Sequence, residues 1–172
     1  FEQAHIKDVG AFLRFVTNRR DEVSFKRMVM LFPGIGVRGA DKLWRAWAKL
    51  PQATNEEVPP AFSDLLATMP CPKKAATHWE QLGHTLDELV QGGEYARPSD
   101  MIYSVLEGVY DDYLKGAFDN YENRRQDIEQ LMSYGENFEE VLEFLAQLSL
   151  MSAVDGDPSG SRAEPDREQV AS

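Results

Sequence analysis

Leu31-Phe32-Pro33-Gly34-Ile35-Gly36-Val37-Arg38-Gly39-Ala40-Asp41-Lys42-Leu43 is the stretch that decides the fold. Upstream of it, Val23, Phe25, Met28, Val29 and Leu31 recur at helical spacing, and Pro33 interrupts that pattern. Downstream, Leu43, Trp44, Trp47 and Leu50 resume it. Helix, Gly-Ile-Gly, helix is the plan of a helix-hairpin-helix. The two glycines permit a tight turn with no Cβ in the way, so that a phosphate can approach the backbone closely. The amides of the turn and of the following helix N-terminus favour an anion there. Ile35 is placed to plug the groove between the two helices. Arg38 and Lys42, four residues apart, share one helix face and add positive charge to a phosphate contact. Such a site reads backbone, not bases. An ordinary αα-turn, its glycines serving only as a cap, is the alternative; the local basic charge favours the anion reading.

The rest of the chain reads as helices too. Ile6, Val9, Phe12, Leu13 and Val16 form a stripe over residues 3–18, and Asp21 is placed to cap the next helix. A Pro- and Asn-bearing loop is expected at 51–60, then a helix over 62–69 and a longer one near 73–91 that Gly92-Gly93 stops. Ser99-Asp100 opens another, and two more follow at about 121–134 and 137–151. Nothing alternates with period two over a useful length, so the expected fold is all-α, a single compact helical domain over 1–152. From Ala153 the chain offers little to bury, and 153–172 is expected to be a flexible tail or linker.

Composition excludes several functions. The 172 residues carry a formal charge of −11, which alone argues against nucleic acid. Its distribution reverses the argument: residues 1–50 hold ten Lys/Arg against five Asp/Glu, while residues 51–172 hold eight against 24. A basic end on an acidic body marks a localised anion-binding face. No stretch approaches the roughly 18 apolar residues of a membrane span, and no secretory leader opens the chain. A single cysteine, Cys71, rules out an internal disulfide and makes a reducing, cytoplasmic setting the default. Lying between Pro70 and Pro72, it has no neighbouring base, and His78 and His84 fall on different helix faces. No Cys/His metal cluster is available.

The run Gly34-x-Gly36-x-x-Gly39 also matches a dinucleotide fingerprint, but that motif needs a preceding strand, which Pro33 and the helical spacing deny it. No G-x-x-x-x-G-K-[ST] loop occurs. Glu107, Asp111 and Asp112 read as a solvated acidic face, Arg124 and Arg125 as partners for acidic neighbours, and Trp44, Trp47 and Trp79 as core rather than base-stacking platforms.

Several blocks resemble a known family. Phe1-Glu2-Gln3-Ala4-His5-Ile6-Lys7-Asp8, followed by Phe12-Leu13-Arg14-Phe15 and Asn18, is similar to the segment of UvrD/PcrA/Rep-type superfamily 1 DNA helicases that begins at helicase motif IV and enters the accessory 2B subdomain. Asp21-Glu22, Lys26-Arg27 and Pro33-Gly34-Ile35-Gly36 resemble the stretch ending in that family's GIG element. Residues 121–131 and Phe138 resemble a helix late in 2B. The resemblance covers 1–50 well and 119–150 reasonably, with no alignable motif between.

The resemblance implies a parent enzyme that couples ATP hydrolysis, with Mg²⁺, to strand separation. This segment would be one domain of it, inactive alone, joined through its ends to motor subdomains. It implies duplex or fork DNA at Gly34, Ile35 and Gly36; Arg38 and Lys42 extend that site on charge alone. No cofactor, metal or catalytic residue is expected within the segment. The alternative is an acidic helical module that regulates the helicase by docking on the motor or on a repair protein, through carboxylates near Glu107–Asp112 or Glu139–Glu143, without binding DNA itself.

Overall fold

A computed structural model describes residues 1–51 and 58–155, with side chains to Ala153. The fold is all-α, with one very short hairpin. The helices α1 (Ala4–Thr17), α2 (Glu22–Val29) and α3 (Val37–Ala48) come first, then α4 (Phe62–Leu66) and α5 (Ala76–Leu89), the latter entered through a 3₁₀ turn at Lys73–Ala75. The strands β1 (Val90–Gln91) and β2 (Glu94–Tyr95) follow. Then come α6 (Pro98–Val105), a π-helical turn (Leu106–Tyr110), α7 (Asp111–Ala117), α8 (Tyr121–Gly135) and α9 (Val141–Asp155).

The first helix is the axis of the core. It buries Ile6, Val9, Phe12, Leu13, Phe15 and Val16 and packs against α2, α5, α6, α8 and α9. At its C-terminal end Phe15 gathers an aromatic cluster, with ring centroids 5.4 Å from Phe25, 5.3 Å from Trp47 and 5.8 Å from Phe62. One cluster therefore joins α1, α2, α3 and α4. The Trp47 indole N–H donates to the Arg19 carbonyl at 2.8 Å and the Trp79 indole to Leu66 at 2.8 Å, so both buried indoles are satisfied.

Polar groups fix the register of the bundle. The buried Asp8 carboxylate accepts from Arg27 Nε at 2.7 Å and from the Tyr110 hydroxyl at 2.6 Å, linking α1 to α2 and to the π-helical turn. Burial, then the Asp8 charge, push the Tyr110 phenol well above its ordinary range. His5 lies between Arg124, 3.3 Å from Nδ1, and Asp127, 2.8 Å from Nε2. Arginine only donates, so Nδ1 accepts and the Nε2 proton points at Asp127.

Several expectations shift in detail. The long helix ends at Leu89 rather than residue 91. Gly92 (φ 60°) and Gly93 (φ 82°) form the two-residue turn of a hairpin pairing Val90 with Tyr95, since paired left-handed positions suit such turns. The next helix starts at Pro98, whose missing N–H costs nothing in a first turn, rather than at Ser99-Asp100. The last helix runs Val141–Asp155 instead of 137–151, so helix continues past Ala153, where the tail was expected to begin. Residues 52–57 of the expected loop and 156–172 of the expected tail lie outside the described residues. The acidic cluster is not simply solvated. Arg125 bonds Glu107 at 2.8 Å, Asp111 at 2.7 Å and Glu129 at 3.3 Å, and Lys115 pairs with Asp111.

Where α4 crosses α5 the backbones nearly touch. A Cβ on Gly83 would lie 2.8 Å from the Ser63 Cα, and the Asp87 carboxylate one turn on accepts from the Phe62 and Ser63 amides at the start of α4. Gly83→Ala is therefore expected to destabilise the chain by about 1–3 kcal/mol, through forced separation of the two helices. Urea unfolding should show a lower midpoint with an unchanged slope.

Candidate nucleic-acid interface

The α2–turn–α3 unit forms from local chemistry. Asp21 caps α2, accepting from the Ser24 amide at 3.0 Å and from its hydroxyl at 2.8 Å. Met28 and Val29 end the helix on buried apolar side chains, and the Leu31 and Phe32 amides then bond Met28 and Val29 in tightening turns. Pro33 cannot continue the helix, and Gly34 reverses the chain with φ +83°. The Ile35 amide bonds the Phe32 carbonyl, and the Ile35 side chain enters the core at 5% exposure. Gly36 occupies the N-cap of α3, its carbonyl accepting from Ala40 at 2.9 Å.

The two glycines do different work. Only Gly34 needs the left-handed conformation. Gly36 is extended (φ −103°, ψ −161°), and a Cβ built there meets nothing within 4 Å. Its contribution is bare surface at the start of α3: open space beside the free amides of the first helical turn, the geometry an oxygen of an anion needs.

Ion pairing hardens the hairpin. Lys26 of α2 bridges Glu22 and Asp41, the latter on α3, and this lysine contact holds the Asp41 carboxyl below its usual range. Asp41 is thereby neutralised within the hairpin. Arg38 and Lys42 are exposed on α3, and among the described residues neither forms an ion pair.

The tertiary structure adds residues that sequence reasoning missed. A Cβ on Gly34 would lie 3.5 Å from the Lys74 Cβ and 3.6 Å from its Cδ, so the lysine stem runs along the turn. Lys74 is 40 positions away, and no local signal connects the two. Arg45 and Lys49 were legible: with Arg38 and Lys42 they recur at steps of four, three and four, all exposed, opposite the buried Ala40, Leu43 and Trp47.

Other sequence candidates fall elsewhere. Trp47 and Trp79 are buried, and Trp44 is half-buried with its ring 5.4 Å from Phe25, so the tryptophans serve the core. His78 and His84 are exposed, with His78 resting 5.9 Å from the Phe32 ring. Burial raises the Cys71 thiol. Among the described residues no group of three His, Cys, Asp or Glu is placed to hold a metal ion, and no helix is long and apolar enough to cross a membrane. No family model, curated protein or solved structure matches this chain.

The contrast between the glycines is testable by thermal unfolding. Gly34→Ala should cost about 1–2 kcal/mol, because a Cβ is imposed on a left-handed residue. Gly36→Val should change stability by less than about 1 kcal/mol, since extended backbone suits valine and the space is open.

Proposed function

We propose that this chain is an accessory domain of the 2B type from a UvrD-like, ATP-dependent DNA helicase, and that it holds the backbone of duplex DNA ahead of the fork. The observation that carries the reading is the Gly34-Ile35-Gly36 turn. It has an open cap at Gly36, an anchored Ile35, and beside it the exposed cations Arg38 and Lys42, which form no ion pair among the described residues. In this reading Gly34 shapes the turn, Ile35 fixes it to the core, and the amides after Gly36 donate to a phosphate oxygen. Arg38 and Lys42 supply charge without reading sequence.

ATP, Mg²⁺ and strand separation belong to motor subdomains of the proposed parent, which works in the cytoplasm on repair substrates. The domain's part is to grip and orient. The second reading, a protein-docking module, is favoured at one place. Glu139, Glu140 and Glu143 are exposed and unpaired among the described residues, around the exposed Leu142 at the start of α9.

Fluorescence anisotropy with labelled duplex, single-stranded and forked DNA at low salt separates the two. The grip reading expects duplex-selective binding in the micromolar range, the usual strength of sequence-independent contacts. Arg38→Glu should weaken it by roughly tenfold or more, through a lost contact and an added repulsion, and Gly36→Val should weaken it by closing the cap. No binding at high micromolar protein would overturn the grip reading.

A further inference from the structure

The turn explains Arg38 and Lys42 but leaves the rest of the exposed face of α3 without a role. Arg38, Lys42, Arg45 and Lys49 lie within about 60° of one another around the helix, at 100° per residue. The eleven steps from Arg38 to Lys49, the C-cap residue of α3, span about 17 Å of helix axis. Among the described residues none is in a close salt bridge, and the one carboxylate beside them, Asp41, is bridged by Lys26 while also feeling the more distant charge of Arg45. Lys74, exposed, packs its stem along Gly34 at the turn that opens α3. Four like charges at i, i+4 and i, i+3 spacing repel one another by tenths of a kcal/mol per pair. In a chain of net charge −11, carboxylates to relieve them were plentiful.

We infer that Lys74 and the α3 face formed by Arg38, Lys42, Arg45 and Lys49 make one continuous track for a polyanion backbone, so that duplex DNA lies along α3 rather than touching only its first turn. This rests on the grip reading and deepens it. The 17 Å span matches about five phosphates of one strand at 3.4 Å of axial rise each. The inner face of the same helix is locked by Trp47 and Leu43 in the core, so the track is rigid and its register along the backbone is set by the fold. The apolar side of the turn points elsewhere, into a cleft of 320 Å³ lined by Leu31, Phe32, Pro33, His78, Val109 and Asp112, among others.

The test is the salt dependence of duplex binding by the full 172-residue chain, compared with Arg45→Gln/Lys49→Gln and with Lys74→Gln. Glutamine keeps most of the Lys74 stem along Gly34 and leaves the Lys26–Asp41 bridge in place, and unchanged circular-dichroism melts would verify that folding is intact. Each phosphate contact contributes about −0.9 to the slope of log K against log salt. The double variant should therefore flatten the slope by about 1.8, and Lys74→Gln by about 0.9, with affinity at 0.1 M salt falling at least several-fold in each.

An unchanged slope in both variants, with binding still lost in Arg38→Glu, would overturn the track while leaving the grip at the turn standing. No duplex binding by the unaltered chain would sink both together. Tighter binding of polyglutamate than of duplex, with the same dependence on Arg45 and Lys49, would overturn DNA as the occupant and assign the track to an acidic protein.

Discussion

The aromatic contact of Phe15 with Phe25, Trp47 and Phe62 sets the orientation on which every functional statement here depends. It seats Trp47 in the core at the C-terminal end of α1, and one buried residue of a helix fixes the rotation of the others. With Trp47, Leu43 and Ala40 inward, Arg38, Lys42, Arg45 and Lys49 can only face out. Packing at one end of the domain therefore determines where its positive charge is displayed. Trp47 also stacks on Phe25 and Phe62, and such stacked pairs contribute about 0.5–1.5 kcal/mol each beyond the area they bury, so the rotation is strongly held.

Charge is then sorted by pairing rather than by sequence position. The acidic helices use much of their charge internally, Arg125 tying Glu107, Asp111 and Glu129 together. Around α3 the reverse holds: Lys26 bridges Asp41, and among the described residues the cations of the outer face form no close salt bridge. Net charge describes neither surface. A chain that is acidic overall displays a row of exposed cations on one helix face, and within a Debye length such local charge weighs more on an approaching polyanion than distant net charge.

Much of this was legible in the residues. The stripe of α1, the Asp21 cap and the interruption at Pro33-Gly34 follow from periodicity and side-chain chemistry, because each signal is local and no tertiary contact opposes it. The hairpin at 90–95 escaped because two residues per strand cannot display alternation, and its Gly92-Gly93 turn looks the same as a helix stop. The π-helical turn at Leu106–Tyr110 leaves no periodic trace of its own. At the site, the turn and its first two cations could be read directly, whereas the exemption of Gly36 from any backbone demand could not. The approach of Lys74 to Gly34, like the pairing of Arg125 with Glu107, is made by the folded chain across long sequence separations.

The central claim is that the backbone amides after Gly36 meet phosphate. Amide-resolved NMR during titration with a short duplex tests it most directly. The account predicts that the largest shifts fall on Ile35, Gly36, Val37, Arg38 and Gly39, with smaller ones at Lys74 and along the outer face of α3. Shifts confined to the acidic helices, or spread evenly over the chain without favouring the turn, would contradict it.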